Sequence, residues 1–247
     1  MRSGRSARAR GGLWLVVAAC AIAAGCGRGG GVFAREYEYE EELYLALDGS
    51  ATLDVNASVA SLVALRGAPF DPDPRARVDR TAVRTFFGAP AARVAAVGLA
   101  RRDGRRFVHA RVQVDRVRDL ASLGAFAWSS YRLDRRGDVL EFRQTVGAPA
   151  GAGERAIRWR GDEIVAFRLH LPSAIVFHNS PSGVIQRGNI LEWDQPLSDR
   201  LAGAPVDIRV ELQPTSILAN TLLLFGATIA AAAATLAGVV WWISRRR

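Results

Sequence analysis

The sequence predicts an α+β fold of antiparallel sheets with two or three short helices, followed by a single C-terminal transmembrane helix. Two observations predict the folded part: apolar and polar residues alternate in several segments, and turn-forming Asp-Gly pairs separate neighbouring segments. A third observation predicts the membrane helix, because residues 217–243 form a nearly continuous apolar run without a charged residue. A run of about 20 apolar residues spans the hydrocarbon core of a bilayer.

The C-terminal side of this apolar run predicts the orientation of the chain. Residues 244–247 contain three arginines, which the positive-inside rule places in the cytoplasm. Trp241 and Trp242 lie where an aromatic belt would meet that interface. The rest of the chain is therefore expected on the extracytoplasmic (periplasmic or outer) side of a bacterial cytoplasmic membrane. Only Pro214, Thr215 and Ser216 separate the last predicted strand from the span, so we expect the domain to sit against the bilayer.

Small residues recur at every fourth position within the predicted membrane helix. Such a ridge lets two helices approach closely, which favours a contact with a membrane protein partner or a second copy of the chain. The alternative is a lone anchor whose small residues reflect only its alanine-rich composition. The residues of the ridge are Gly226, Ala230, Ala234 and Gly238.

The N-terminus has the composition of a lipoprotein-type signal peptide at residues 1–25. Four arginines precede a short apolar run, and the small residues before Cys26 resemble a processing site at which the cysteine is lipidated. Cys20 ends a second pattern of this kind, and cleavage without lipidation is a further alternative. The glycine-rich residues 26–34 are expected to form a flexible tether, and residues 35–213 to form the extracytoplasmic domain.

The net charge of +9 does not indicate nucleic-acid binding. All 33 basic residues are arginines; seven lie in the signal peptide and the C-terminal tail, which leaves 26 arginines beside all 24 acidic residues in the part between them. A domain so close to neutral lacks the basic excess of nucleic-acid-binding proteins. The absence of lysine excludes Schiff-base chemistry and pyridoxal phosphate attachment, and we predict no cofactor.

The first predicted elements form two similar units, each a hairpin followed by a short helix. In the first unit, alternation places Tyr37, Tyr39, Leu43, Leu45 and Leu47 on one face of a strand and Glu36, Glu38, Glu40 and Glu42 on the other. Asp48-Gly49 is a turn, residues 53–57 return as a strand, and residues 58–65 are predicted to be helical. The second unit has strands at 94–101 and 107–114 around Asp103-Gly104, then a helix at 116–123. The repeated order suggests a structural duplication.

The remaining elements are one helix between these units and a run of strands after them. The helix is predicted over residues 79–87, after a loop stiffened by three prolines. The strands are predicted over residues 127–133, 139–146, 156–159, 164–171, 184–193 and 206–212.

Charge is unevenly distributed along the domain. Residues 35–48 are strongly acidic, whereas residues 75–119 contain twelve arginines and four aspartates. One interpretation is that the two segments pair across a sheet or form solvated faces. The other is that the basic segment contacts anionic lipid head groups, because a guanidinium binds phosphate oxygens with two parallel hydrogen bonds. The candidate head-group contacts are Arg101, Arg102, Arg105 and Arg106.

No motif in the sequence predicts a catalytic residue or a metal site. His109 and His170 fall on the solvent side of their strands, and no His-Glu-x-x-His or Gly-x-Ser-x-Gly motif occurs. Glu192 and Asp194 share one face of a strand, a spacing typical of many surface strands. The aspartates of residues 71–79 lack the glycine and ligand spacing of a calcium loop. We therefore expect that the protein is not an enzyme.

The C-terminal half of the domain resembles that of LppM-like bacterial lipoproteins. The residues that carry the resemblance are Leu171-Pro172-Ser173, Asn179, Gly183, Gly188-Asn189 and Trp193, together with the lipobox-like Cys26, the turn Asp48-Gly49-Ser50 and a single transmembrane helix with a basic tail. Ser173 stands where a glycine is usual in this family. The resemblance implies an envelope protein without catalytic residues, for which lipid or glycolipid handling is a proposed role.

These observations predict a membrane-anchored extracytoplasmic lipoprotein that acts as a non-enzymatic binding module. It is expected to act in envelope assembly or lipid contact, and its expected partners are the membrane, an envelope lipid or glycolipid, and a membrane protein or a second copy of the chain. An accessory subunit that pairs through its transmembrane helix is the alternative, and an extracytoplasmic hydrolase is the least favoured one.

Overall fold

The computed structural model describes residues 37–151 and 157–246. The signal peptide, Cys26 and the glycine-rich tether lie outside the described residues, so the predictions made for them stay predictions.

The described chain contains ten strands, four α-helices and two short 3₁₀ segments, at Val117–Ser122 and Gly124–Phe126. The strands are β1 (Tyr37–Leu45), β2 (Ala51–Ser58), β3 (Ala92–Arg102), β4 (Arg105–Val114), β5 (Ser129–Arg136), β6 (Val139–Val146), β7 (Ile164–His170), β8 (Ser173–His178), β9 (Ile190–Pro196) and β10 (Val206–Ser216). The helices are α1 (Val59–Arg66), α2 (Arg80–Phe87), α3 (Leu197–Leu201) and α4 (Ile217–Arg245).

The strands form two sheets that enclose a common core. One sheet has six strands in the order β3-β4-β2-β1-β7-β9, and the other has four in the order β5-β6-β10-β8. Side chains from both sheets contribute to one hydrophobic cluster, which includes Leu43, Val55, Phe142, Phe167 and Val210. The α+β class is confirmed. One pair departs from the predicted antiparallel arrangement, since β1 and β7 run parallel. The long intervening chain, which contains two of the four strands of the second sheet, permits this pairing.

The first two hairpins form where the sequence predicts them. The carboxylate of Asp48 accepts a hydrogen bond from the Ser50 amide at 2.9 Å, and Gly49 supplies a positive φ of 87°. At the second turn both Asp103 (φ 48°) and Gly104 (φ 77°) have positive φ, as a tight two-residue hairpin requires. The two hairpins lie side by side, because β2 pairs with β4 along its whole length. The duplication stays a hypothesis.

The helices α1 and α2 begin at the side chains that their sequences provide as caps. The hydroxyl of Ser58 accepts from the amide of Ser61, and the carboxylate of Asp79 accepts from the amide of Thr81. Residues 116–123 form a 3₁₀ segment at Val117–Ser122 where an α-helix was predicted.

In the C-terminal half, one strand prediction was wrong, one was shifted, and one strand was missed. Residues 157–160 are not a strand, because the amides of Arg160 and Gly161 bond to the Glu163 carboxylate (2.6 and 2.8 Å) rather than to a neighbouring strand. Residues 184–189 form an exposed loop, and β9 begins only at Ile190. The strand β8 was missed, because Pro172 and Asn179 at its two ends favoured a turn.

The two ends of the sheets have different neighbours. Strand β10 continues directly into α4, and Ser216 at this junction lies opposite Ser173 of β8. Tyr44 of β1 lies opposite His170 of β7, and His170 is three positions before Ser173 in the chain. The ends of β1 and β7 are therefore on the same side of the domain as the start of α4, and we call this side the helix end. The β3–β4 turn lies at the other end of the six-stranded sheet, which we call the hairpin end; β1 and β7 begin there.

Helix α4 is long and apolar enough to cross a membrane. Its segment Thr221–Arg245 has a mean hydropathy of 2.1, and none of that stretch is buried against the rest of the chain. Leu223, Leu224 and Phe225 are all largely exposed. A helix of this composition has no apolar partner among the described residues, as expected of a segment that lies in lipid.

Candidate ligand cleft at the hairpin end

The described part of the chain has an open cleft of about 920 Å³ at the hairpin end. The start of α1, the proline-rich loop after it, the start of β4 and the segment before β7 surround the cleft. The lining residues are Val59, Ala60, Pro69, Phe70, Asp71, Pro72, Asp73, Pro74, Arg105, Arg106, Ile157 and Arg158.

The apolar side of the cleft is formed by residues that pack against the core. Val59 and Ala60 are nearly buried at the first turn of α1, and the ring of Phe70 packs edge-on against Phe86 of α2 at 5.5 Å. Prolines in the loop limit its backbone freedom. This wall is therefore set in place before any ligand binds.

The carboxylates of the two loop aspartates accept hydrogen bonds from backbone amides of the same loop. The carboxylate of Asp71 accepts from the amide of Asp73 (3.0 Å), and that of Asp73 accepts from the amide of Arg75 (2.7 Å). No group of three or more His, Cys, Asp or Glu side chains that could hold a metal ion occurs among the described residues.

Arg105 anchors the floor of the cleft through two carboxylates. Its guanidinium donates to Glu38 at 2.5 Å and to Glu163 at 2.9 Å, and it also reaches the carbonyl of Arg158 at 2.9 Å. Burial opposes the ionisation of Glu163, but the amides of Arg160 and Gly161 and the charge of Arg105 outweigh it, so the pKa of Glu163 lies below its usual value. The carboxylate of Glu163 is therefore ionised, and Arg105 pairs with both Glu163 and Glu38.

Arg106 holds the proline-rich loop in place and retains hydrogen-bonding capacity. Its Nε donates to the carbonyl of Pro74 (2.9 Å) and its Nη2 to that of Arg75 (3.1 Å). A guanidinium has five N–H donors, and Arg106 has no carboxylate partner within ion-pair distance among the described residues. The lining of the cleft thus includes Arg106 and the exposed Arg158 as well as the loop carboxylates of Asp71 and Asp73.

The structure gathers the four predicted head-group arginines at the hairpin end, and two of them line the cleft. Arg101 donates to the carbonyl of Pro74 at 2.6 Å, beside Arg106. Arg102 donates to the carbonyl of Tyr37 at 2.6 Å and lies over the ring of Phe107. The register places all four away from the helix end. Their contact with a head group stays a prediction.

The glutamates on the outer face of β1 do not form the solvated face that the alternation suggested. Arg168 of β7 pairs with Glu40, with Glu42 at 3.3 Å and with Glu192 at 3.0 Å, while Glu38 pairs with Arg105. Part of the acidic segment 35–48 therefore pairs across the sheet, as one of the two interpretations suggested. Most of its partners, however, lie outside the arginine-rich segment 75–119.

Glu42 gives this face a measurable pH dependence. The hydrogen bond from His170 Nε2 (3.2 Å), then the Tyr44 hydroxyl and the Arg168 charge, lower the pKa of Glu42 to about 2, against the effect of burial. Because the folded pKa is below the ordinary 4.5, the ionised carboxylate stabilises the fold above pH 4.5, and this stabilisation is lost as the pH falls from 4.5 towards 2. We expect Glu42→Gln to cost about 1 kcal/mol at pH 7, allowing for solvent screening, and the cost to shrink below pH 4.

Urea unfolding of the full chain in detergent, followed by tryptophan fluorescence, measures this cost at each pH. The control is Asp119→Asn, which removes an exposed pair with Arg116. A cost for Glu42→Gln that does not change between pH 7 and pH 3 would contradict the expectation.

Sequence reasoning missed Glu41, whose side chain is 1% exposed in the core. Its Oε1 accepts from Tyr131 and Gln144 (both 2.9 Å), and its Oε2 accepts from Tyr39 (2.8 Å) and pairs with Arg66 (2.5 Å). Burial raises the pKa of both tyrosines well above the ordinary value. The sequence did contain one indication of this burial. Position 41 is two residues from both Tyr39 and Leu43, so its side chain falls on the same face of the strand as theirs. This cluster ties the two sheets together and does not border the cleft.

Two of the other candidate residues, His170 and Glu192, belong to the network around Arg168 and Glu42. His109 is exposed on β4, and His170 stacks on Tyr44 with ring centroids 4.0 Å apart. Glu192 accepts from Tyr37 (2.8 Å) and Gln186 (2.7 Å) in addition to its pair with Arg168. The expectation that the protein is not an enzyme stays an expectation.

The ridge of small residues on α4 is open on the described helix. A β-carbon added to Gly226 or Gly238 would meet no other atom within 4 Å. A second helix therefore has room to approach, and the pairing of Gly226, Ala230, Ala234 and Gly238 with a partner stays a prediction.

The fold and the site define a small α+β domain joined without a linker to an apolar helix that could span a membrane. No protein-family model matches the chain, and no curated protein matches it. Among solved structures, the chain shows a weak fold-level resemblance to the NMR structure of the folded domain of the Mycobacterium tuberculosis LppM protein. The match has a TM-score of 0.41 at 14% identity and covers 77% of this chain and 98% of that chain.

Proposed function

We propose that this protein is a membrane-anchored extracytoplasmic lipoprotein whose domain binds an anionic envelope lipid or glycolipid, without catalysis, in the cleft at the hairpin end. The observation that carries the proposal is the lining of the cleft, which combines a preformed apolar wall with the guanidinium groups of Arg106 and Arg158. An amphiphile fits both parts, with its apolar portion against Val59 and Phe70 and its phosphate or carboxylate against Arg106 and Arg158.

The anchoring part of the proposal is supported by α4 and by the N-terminal sequence. An exposed apolar helix is stable in lipid and costly in water. The predicted signal peptide and Cys26 favour an extracytoplasmic N-terminus, and the arginines after the helix favour a cytoplasmic C-terminus. The cytoplasmic membrane of a bacterium is the location that satisfies both.

The binding part is tested with a soluble probe. We expect lyso-phosphatidylglycerol, below its critical micelle concentration, to bind the full chain held in nanodiscs of zwitterionic lipid. Arg106→Glu should weaken binding at least ten-fold, because it replaces a charge-assisted contact with a repulsive one. Arg116→Glu is the matched control, since Arg116 is an exposed arginine at the helix end, and it should leave the affinity unchanged.

Binding that both arginine variants leave unchanged, or no binding by the parent chain together with no lipid found by mass spectrometry of the purified protein, would overturn the ligand assignment. Loss of binding in Arg106→Glu is interpreted only if the variant keeps the unfolding midpoint of the parent chain.

A second candidate function is that of an accessory subunit that pairs through α4. The open ridge at Gly226 and Gly238 favours it, because small residues let helix backbones pack closely. Replacing both glycines by isoleucine should abolish a crosslink to a partner helix within the membrane, whereas Leu223→Ile should not. An unchanged crosslink in the double variant would refute the pairing.

A further inference from the structure

The helix end carries a short exposed hairpin, and two exposed apolar residues precede it in the chain. Residues Gln186 and Ile190 bond to each other through both backbone groups, which closes a short hairpin with Gly188 and Asn189 at positive φ. Val184 and Ile185 lie just before this hairpin and are 58% and 43% exposed. Arg187 lies within it and is exposed.

Contacts between neighbouring residues fix the position of this hairpin relative to the membrane helix. The side-chain amide of Asn189 donates to the carbonyl of Ser173 at 2.8 Å, and the amide of Leu171 donates to the carbonyl of Asn189 at 3.1 Å. Ser173 lies opposite Ser216, the last residue before α4. With strands about 4.8 Å apart, the hairpin lies roughly 10 Å from the point where the chain leaves the domain.

A charged turn with two arginines and two aspartates lies on the other side of the same junction. Leu212 of β10 is opposite Leu140 of β6, so the β5–β6 turn lies close to the level of Pro214. Arg135 and Arg136 of β5 are exposed there, near the acidic Asp134 and Asp138 of the same hairpin. Arg136 pairs with Glu141 at 2.8 Å while remaining 61% exposed.

We propose that the helix end docks on the surface of the bilayer that α4 crosses, with Val184 and Ile185 inserted at the interface and the β5–β6 turn at the level of the lipid head groups. The inference rests on the proposed membrane span. The occupant is the bilayer because β10 passes into α4 without a linker, which holds the helix end within reach of the lipid surface. Apolar side chains buried at the headgroup boundary, with arginines beside anionic lipids, are the usual composition of interfacial contacts.

In the proposed arrangement the cleft faces away from the membrane. Strands of the six-stranded sheet run from the hairpin end to the helix end, over at least the six residue steps from Tyr37 to Leu43 that pair with β7. At about 3.3 Å per residue, this separates the cleft from the docked end by roughly 20 Å. A docked helix end would therefore keep the cleft open to ligands on the far side of the domain.

The test uses the full chain in nanodiscs with single added cysteines that carry an environment-sensitive fluorophore, against the parent chain as the labelling background. We expect fluorophores at Val184→Cys and Ile185→Cys to lose at least half of their emission when acyl-chain spin-labelled lipid is added. A fluorophore at Asp138→Cys should respond to head-group-labelled lipid only. Leu99→Cys, on β3 near the hairpin end, is the matched exposed control and should respond to neither.

Leu223→Cys in α4 separates the two proposals. If Leu223→Cys is quenched while Val184→Cys and Ile185→Cys are not, the span stands and the docking inference falls. If Leu223→Cys is not quenched, the membrane span itself is overturned. Quenching at Leu99→Cys equal to that at Val184→Cys would overturn the assignment of the helix end as the docking surface.

Discussion

Glu41→Ala is expected to destabilise the folded domain by about 3–5 kcal/mol, because it leaves a fully buried guanidinium without its counter-charge. Arg66 is 1% exposed, and its guanidinium lies 3.8 Å from the centroid of the Trp128 ring. It also donates to the carbonyl of Ala125 at 2.8 Å, which does not balance its charge. The same substitution removes the acceptor of Tyr131 and Gln144, so several buried donors lose their partner at once.

Urea unfolding of the full chain in detergent measures the change, with Asp119→Asn as an exposed control expected to cost less than about 1 kcal/mol. The double variant Glu41→Gln/Arg66→Met should cost less than the sum of its single changes, because the unpaired charge is removed with its partner. A loss for Glu41→Ala within the range of the control, or strict additivity in the double variant, would contradict the role assigned to the pair.

Ala233→Arg is expected to reduce insertion of α4 into the membrane. An arginine at the centre of a membrane helix costs about 2.5–3.5 kcal/mol on insertion scales, which corresponds to roughly a hundred-fold change in the insertion equilibrium. We expect part of the variant to appear in the supernatant after carbonate washing of membranes, whereas Ala233→Leu should remain in the pellet like the parent chain.

The lipid anchor proposed at Cys26 would retain protein in the pellet even without the helix. The parent chain, Ala233→Arg and Ala233→Leu are therefore all compared with Cys26→Ser added to each of them. Equal retention of Ala233→Arg and Ala233→Leu in that background would contradict a span through α4.

Local pattern was enough to predict the hairpins, because Asp48-Gly49 and Asp103-Gly104 have a conformational preference that does not depend on distant residues. The helices α1 and α2 were predictable for the same reason, from Ser58 and Asp79 as caps. The parallel pairing of β1 with β7 was not, since it joins segments more than 120 residues apart and no local residue encodes it.

The cleft itself was not predicted from the sequence. The sequence drew attention to Arg105 and Arg106 through the clustering of arginines, but it could not show that they meet Val59 and Phe70, which come from other elements. Glu41 was missed because five neighbouring acidic residues made it resemble part of a solvated run. The burial of its carboxylate depends on Arg66, Tyr131 and Gln144, which reach it only in the folded domain.

The topology of the chain is the claim on which both proposals depend. Intact spheroplasts carrying Asp138→Cys or Ser244→Cys can be treated with a membrane-impermeant maleimide, with the parent chain as background. We expect the cysteine at position 138 to be labelled in intact spheroplasts and the cysteine at position 244 to be labelled only after lysis. Labelling of position 244 but not of position 138 in intact spheroplasts, or labelling of both positions to the same extent before lysis, would contradict a domain exported on a single span.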